Sequence, residues 1–234
     1  MKNSIEFKLW GKYALFTDPI TKIGGEKCSY HLPTYEAIKG VLKSIYWKPT
    51  LTWVVDEVRV IKPLQTQTKG TKPLNWSGGN SLAIYTFLHE VEYQVKAHFI
   101  WNEHRPELAN DRVDGKHFNI AKRMLEKGGR QDIFLGVRDC QAYVEPCEFG
   151  EGIGAYDTIP ELGFGLMFHG FDYPDETGID ELHTRFWHAK MEQGIIKFPT
   201  PEQCTIKRFV RDMTAKQFEL DTNLQSVTDL EVQL

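Results

Sequence analysis

The sequence predicts an α+β protein in which helices and strands follow the order β-α-β-β-α-β. Strict alternation of apolar and polar residues over 92–102 is typical of a strand with one buried face. Apolar residues at three- and four-residue spacing over 118–125 indicate an amphipathic helix. The chain has 234 residues, of which 41% are hydrophobic and 26% charged. This size and composition suit a folded globular protein that buries a core.

The first three elements are a strand, a helix and a second strand. Residues 4–10 alternate between apolar and polar, which predicts a strand. Apolar residues after Thr34 fall on one helical face, with Thr34 as a candidate N-cap and Pro49 as the residue that stops the helix. Tyr46 is therefore expected in the last helical turn. The β-branched run 52–61 predicts the second strand.

Polar and glycine-containing stretches separate these elements. Residues 17–33 and residues 62–80 are predicted to be loops, the second of them mobile. The strand over 92–102 is followed by a polar loop at 103–113, and residues 138–144 predict the last strand of the pattern.

The second helix carries the residues most suggestive of function. Asp114 is a candidate N-cap and Gly128-Gly129 a candidate stop, which places Lys116 and His117 in the first turn. Free N–H groups and the positive end of the helix dipole favour a phosphate at that position. Lys116 adds a positive charge, and His117 adds a side chain that exchanges a proton near neutral pH.

The βαββαβ order is the ferredoxin-like pattern, which RNA-recognition motifs share. The aromatic consensus that RNA-recognition motifs use for base stacking is not visible, so stacking on the sheet is not predicted. We assign residues 1–148 to this domain and 149–234 to a smaller, mostly antiparallel β domain with a hairpin at Gln193-Gly194. From Thr214 the tail has helical spacing.

Charge is unevenly distributed along the chain. Residues 1–138 hold 21 Lys and Arg against 14 Asp and Glu, whereas residues 139–184 hold 11 acidic residues and no Lys or Arg. A basic first part could bind a polyanion, and the acidic segment is a candidate surface for a protein partner. The net charge of −4 argues against a uniformly basic nucleic-acid binder.

Several other classes of protein are disfavoured. No apolar run is long enough to span a bilayer, and the first residues lack the apolar core of a secretion signal. The four cysteines have no CxxC spacing, which indicates reduced thiols in a cytoplasmic protein. No P-loop, HExxH or GxSxG motif occurs. His183 and His188 have a spacing that is poor for a shared metal, so no metal and no cofactor are expected.

Motifs along most of the chain resemble those of the CRISPR-associated Cas5 (Cas-five) family, and in particular its d subtype from type I-C systems. The most specific of them are Tyr46-Trp47-Lys48-Pro49 and Lys116-His117. The others, in chain order, are Gly11, Ala14, Phe16, Pro19, Ser29-Tyr30, Pro33-Thr34, Gly40, Ala97-His98-Phe99, Leu135-Gly136-x-Arg138, Leu162-Gly163, Asp172-Tyr173-Pro174 and the stretch 186–199.

The resemblance implies a function in RNA processing. The family belongs to the repeat-associated (RAMP) superfamily of ferredoxin-like RNA-binding proteins. Members of the d subtype cut precursor RNA at the base of the CRISPR repeat hairpin without a metal, leaving a 2′,3′-cyclic phosphate and a 5′-hydroxyl. They then stay in the type I-C interference complex beside its backbone and large subunits. The family's catalytic tyrosine, lysine and histidine correspond to Tyr46, Lys116 and His117.

Basic residues of the first domain are predicted to hold the RNA backbone. They are Lys48, Lys69, Lys72, Lys122, Arg123, Lys127, Arg130 and Arg138. Residues 66–82, where many relatives carry several arginines, offer only two lysines, and Cys140 stands where relatives often have an aromatic residue. These departures concern RNA contacts and leave the catalytic assignment unchanged.

Three functional hypotheses are compatible with the sequence. The first is a metal-independent endoribonuclease in which His117 takes the proton of the 2′-hydroxyl and Lys116 stabilises the phosphorane, with the role of Tyr46 undecided. The second is a non-catalytic scaffold that binds the 5′ handle of the CRISPR RNA. The third is a metal-dependent nuclease that uses His183 and His188.

Overall fold

The computed structural model describes residues 2–217. Its strands are β1 (Ser4–Ala14), β2 (Leu51–Val60), β3 (Thr66–Thr71), β4 (Ala83–Trp101), β5 (Ile133–Phe134), β6 (Gln141–Pro146), β7 (Glu161–Asp172), β8 (Glu181–Glu192), β9 (Ile195–Lys197) and β10 (Ile206–Asp212). Its α-helices are α1 (Pro19–Ile23), α2 (Tyr35–Ile45), α3 (Lys116–Glu126) and α4 (Pro174–Thr177). Short 3-10 helices cover Pro106–Asp111 and Pro201–Gln203.

Within the described residues, the strands form one sheet with the order β10-β8-β9-β2-β4-β1-β6-β5. β3 pairs with β4, and β7 pairs with β8, outside this path. The pairs between these strands are antiparallel. The predicted mixture of helices with a mostly antiparallel sheet is therefore confirmed.

Several predicted elements are found where their patterns placed them. The Thr34 side chain accepts a hydrogen bond from the amide of Ala37, so it caps α2 as expected. Tyr46 is the C-cap of the same helix. Gln193 and Gly194, with φ angles of 48° and 79°, connect β8 to β9 as the predicted hairpin.

The predicted loop over residues 62–80 is partly wrong, because residues 66–71 form β3. β3 pairs along the first part of β4, which begins at Ala83 rather than near residue 92. The sequence Thr-Gln-Thr-Lys-Gly-Thr is mostly exposed, so it lacks the apolar alternation that marks a strand with a buried face. Residues 17–33, also predicted to be a loop, contain the five-residue helix α1.

Helix α3 has Lys116 and His117 in its first turn as predicted, but the predicted cap is wrong. The N-cap is Gly115 rather than Asp114, and no side chain caps the helix. Gly115 has a φ of 73°, a left-handed conformation that glycine adopts without steric cost. After the helix, Gly128 and Gly129 both have positive φ, in agreement with the predicted stop.

Helices α2 and α3 pack on the sheet and bring their ends together. Ala121 and Leu125 of α3 are buried in the same core as Ile38 and Leu42 of α2. The amides of residues 130 and 131, after α3, donate to the Ser44 carbonyl near the end of α2, at 3.1 and 3.0 Å. The end of α2 is therefore fixed beside α3, which determines where Tyr46 lies.

The sheet is continuous across the predicted domain boundary at residue 148. β9 pairs with β2 of the first part, and the ion pairs Arg59–Asp157 and Lys39–Glu176 also join the two parts. The division into two domains stays a prediction. The helical spacing predicted for the tail falls mainly beyond residue 217, outside the described residues. None of the helices described here has the length and apolar character required to cross a bilayer.

Candidate active site

Tyr46 and His117 meet where the end of α2 approaches the start of α3. The Tyr46 hydroxyl lies 2.8 Å from His117 Nδ1, and His117 Nε2 lies 2.8 Å from the backbone carbonyl oxygen of Asp111. A carbonyl oxygen only accepts hydrogen bonds, so Nε2 must carry the proton. In the neutral imidazole Nδ1 then accepts a hydrogen bond from the phenol.

Both of these side chains are buried. His117 is 1% exposed and Tyr46 is 3% exposed. The rings of Phe99 and Trp101 pack edge-on against the imidazole, with centroids 6.4 and 5.5 Å away. Because the phenol covers Nδ1, a substrate reaches this nitrogen only through Tyr46 or after Tyr46 has moved.

Lys116 contributes the positive charge next to this pair, and its side chain is 45% exposed. Its ammonium group is held by a short contact with the carboxylate of Asp111. The other carboxylate oxygen accepts from the Thr50 hydroxyl at 2.6 Å and lies 3.4 Å from His117 Nε2. Asp111 is therefore the residue that connects Lys116 to His117, and no sequence pattern singles it out.

The surroundings set the protonation of Tyr46 and Asp111. Burial, with a smaller contribution from the Asp111 carboxylate, raises the pKa of Tyr46 to about 12, and Arg130 opposes this rise. Burial would also raise the pKa of Asp111, but hydrogen bonds from Lys116 and Thr50 outweigh it, so the net shift is downward. At neutral pH the site therefore holds a neutral phenol and an ionised carboxylate.

The first turn of α3 can bind an anion. The Lys116 amide donates to the Val113 carbonyl, and the Asn119 amide donates to the Gly115 carbonyl. Since Gly115 has no side chain, it cannot cap the amides of His117 and Phe118, and nothing else in residues 2–217 accepts from them. Together with the helix dipole, these amides suit a phosphate oxygen.

The predicted RNA-binding residues divide into those near α3 and those elsewhere. Lys122 and Arg123 are exposed on α3, and Lys127 and Arg130 follow on the residues just after it. Exposed positions outside this helix are Lys48, Lys72 and Arg138, with the Arg138 guanidinium 5.9 Å from the Phe134 ring. Lys69 is half-buried on β3, and its ammonium lies 3.3 Å from the centroid of the Tyr13 ring.

The alternative metal site at His183 and His188 acquires no further ligands. His183 Nε2 lies 3.4 Å from the carboxylate of Glu181, two residues earlier on β8. Across the part of the chain that the structure describes, no group of three His, Cys, Asp or Glu side chains could hold a metal ion.

Comparison with known proteins places this chain in a family. Residues 4–199 match the model of a CRISPR-associated protein family, Cas_Cas5. Two relatives carry the name CRISPR pre-crRNA endoribonuclease Cas5d. The Mannheimia succiniciproducens protein is 28% identical over 85% of this chain and 96% of its own length. The Thermus thermophilus protein is 27% identical over 83% of this chain and 91% of its own length.

Solved structures share the fold as well. One, described as a CRISPR-associated protein, is 33% identical with a TM-score of 0.75 and is matched over 88% of this chain and 96% of its own. Another, a functionally uncharacterized protein from Streptococcus mutans, is 38% identical with a TM-score of 0.73 and the same shares of coverage.

Proposed function

The chain belongs to the Cas5 family of CRISPR-associated proteins, in its d type, and from this we propose that it is a metal-independent endoribonuclease. Its substrate is CRISPR precursor RNA, which it cuts at the base of the repeat hairpin. The names of the two curated relatives support the activity and the class of substrate. The observation that carries the proposal is the Tyr46–His117 hydrogen bond at the N-terminus of a helix that also presents Lys116.

The geometry suggests a relay for the first proton transfer. The 2′-hydroxyl of the nucleotide before the cut gives its proton to the Tyr46 oxygen, and the phenol passes its own proton to His117 Nδ1. No phenolate has to form, which suits a phenol whose pKa is about 12. The imidazolium that results is stabilised at Nε2 by the carbonyl and carboxylate of Asp111.

The second half of the reaction breaks the P–O5′ bond. The 2′-oxygen attacks phosphorus, and negative charge builds on the non-bridging oxygens of the phosphorane. Lys116 and the free amides at the start of α3 stabilise that charge. The 5′-oxygen leaves as a hydroxyl after taking a proton from solvent, His117 returns its proton to solvent, and a 2′,3′-cyclic phosphate remains.

The basic residues around α3 hold the RNA backbone in this proposal. Lys122, Arg123 and Lys127 extend positive charge from the catalytic turn along the exposed side of the helix. Lys48 and Arg130 add charge near the end of α2. We assign Lys69, Lys72 and Arg138 to more distant parts of the repeat RNA.

The finer features of fold and setting belong to the proposal as well. The ferredoxin-like interpretation of residues 1–148 is supported by the order β2-β4-β1-β6 and by α2 and α3 as the two crossover helices. After cleavage the protein stays on the RNA as a subunit of the type I-C complex. It works in the cytoplasm, in keeping with four cysteines that form no disulfide.

The proposal is tested by incubating the protein with repeat-hairpin RNA in EDTA, beside the same RNA with one 2′-deoxy nucleotide at the cut site. We expect cleavage of the first RNA only, because the 2′-hydroxyl is the nucleophile. Tight binding to both RNAs with cleavage of neither would instead identify a scaffold. Cleavage that is lost in EDTA and restored by a divalent ion would identify a metal-dependent nuclease.

Replacing Asp111 with asparagine should change binding and rate in opposite directions. Asparagine keeps the shape and the backbone carbonyl but removes the negative charge next to Lys116. We expect RNA to bind about two- to fivefold more tightly, since a phosphate no longer competes with a carboxylate. Cleavage at saturating RNA should slow by about tenfold, because an imidazolium contact of about 1.5 kcal/mol is lost.

Single-turnover rates and dissociation constants, measured separately for the wild type and the Asp111→Asn variant, check this split. The control is Asp114→Asn, which removes an exposed acid close by in sequence that makes no contact with Lys116 or His117. A variant with both an unchanged rate and unchanged affinity would show that Asp111 has no part in the reaction.

A further inference from the structure

A cavity of about 780 Å³ is bordered by Trp101, which also contacts His117 of the candidate active site. The centroids of these two rings are 5.5 Å apart. Tyr35 and Ile100 provide further apolar wall, and Ile100, next to the last residue of β4, is 46% exposed. A space of this size is typical of sites for small molecules or single nucleotides.

The Lys and Arg side chains of the cavity are each paired with an acid, and Glu103 and Glu202 add further negative charge to its lining. Lys39, which is 1% exposed, is paired with Glu176. Arg185 contacts Asp172, and the same carboxylate accepts from Lys207 at 2.9 Å. A phosphate would therefore find no free positive charge among these groups. The cavity instead suits a neutral, flat ligand with polar edges.

His98 offers a polar group that such a ligand can use. Its Nδ1 lies 2.9 Å from both carboxylate oxygens of Asp56, so Nδ1 donates and the ring orientation is fixed. The hydrogen bond to Asp56 raises the pKa of His98, although burial opposes the rise. His98 lines the cavity, and its Nε2 has no partner within residues 2–217.

We infer that this cavity holds the base of a nucleotide flanking the scissile phosphate, with the base against Trp101 and Ile100 and its polar edge on His98 Nε2. The inference rests on the proposed function, since it takes the RNA substrate as given. The shared Trp101 wall brings the base close to the reacting phosphate. An RNA base that leaves its stack is commonly bound by an aromatic side chain and by hydrogen bonds to its edge.

The test combines RNA changes with a protein variant. Repeat RNAs with a single abasic site at each position within three nucleotides of the cut are cleaved by the wild type and by His98→Ala. At one position the abasic site should slow the wild type by about tenfold, and His98→Ala should slow cleavage of intact RNA to a similar extent. The two changes together should cost no more than either alone, because they remove one interaction.

His31→Ala is the matched control, since His31 is an exposed histidine outside the cavity and should retain the wild-type response to every abasic site. Full additivity between His98→Ala and the abasic sites, or no sensitivity at any position, would overturn the inference.

A binding measurement separates this inference from the proposed function. The probe is repeat RNA with 2-aminopurine at the flanking positions and a 2′-deoxy nucleotide at the cut site. Its fluorescence should be quenched by about threefold or more at one position on binding, and less in His98→Ala. Quenching by a protein that fails to cut intact RNA would support the base-binding subsite and contradict the proposed nuclease activity. Cleavage of intact RNA without quenching at any position would support the nuclease and reject the base-binding subsite.

Discussion

Replacing His117 with glutamine is expected to slow cleavage of the repeat RNA by about 10²–10⁴-fold while RNA affinity stays nearly unchanged. Glutamine can still donate to the Asp111 carbonyl, as His117 Nε2 does, but it cannot take up a proton. The loss should therefore fall on the single-turnover rate and not on the dissociation constant. Both are measured with the same end-labelled RNA in EDTA.

Two further variants make this result interpretable. His31→Gln, at an exposed histidine, should cleave like the wild type. Tyr46→Phe removes the relay but uncovers Nδ1 of His117, so its rate should lie between those of the wild type and His117→Gln. If His117→Gln melts at the wild-type temperature and cuts at the wild-type rate, His117 is not the base.

Replacing Lys116 with glutamine is the second change with a large expected effect, about 10²–10³-fold in the cleavage rate at saturating RNA. The ammonium group is next to the free amides of the helix N-terminus, where phosphorane charge would be stabilised. RNA affinity should also fall, because the Asp111 carboxylate is left without its neutralising partner. Adding Asp111→Asn to this variant should restore the affinity but not the rate.

Other lysines provide the comparison for this effect. Lys22→Gln, on the exposed face of α1, should leave cleavage unchanged. Lys122→Gln, one turn and a half further along α3, should weaken binding without lowering the rate at saturation. Equal losses of rate in Lys116→Gln and Lys122→Gln would mean that Lys116 only attracts RNA.

Local patterns gave the elements that position the site. The Thr34 cap, the helical end at Tyr46 and the place of Lys116 in the first turn of α3 follow from short-range signals, since capping and helical periodicity act over a few residues. The coarse fold follows from the alternation of these elements. The assignment of Tyr46, Lys116 and His117 as a set came from the family resemblance, and the structure places Tyr46 and His117 in direct contact.

Features that depend on distant parts of the chain could not be predicted. Asp111 is an ordinary acid in a polar loop, and its contact with Thr50, 61 residues away, gives no sequence signal. β3 was missed because an exposed strand is stabilised mainly by backbone pairing with its neighbour, which needs no apolar pattern. The burial of His117 by Phe99 and Trp101 likewise arises only when β4 packs against α3.

The continuity of the sheet between β2 and β9 has a consequence for motion. A hinge near residue 148 would have to break backbone hydrogen bonds of this pairing and separate the buried Lys39–Glu176 pair. We therefore expect the described residues before and after residue 148 to move together when RNA binds. Movement on RNA binding is instead expected in the segment between β4 and α3, residues 102–115, whose 3-10 turn holds the Asp111 carbonyl against His117 Nε2. RNA binding is therefore expected to change amide hydrogen-exchange rates in residues 102–115 rather than near residue 148.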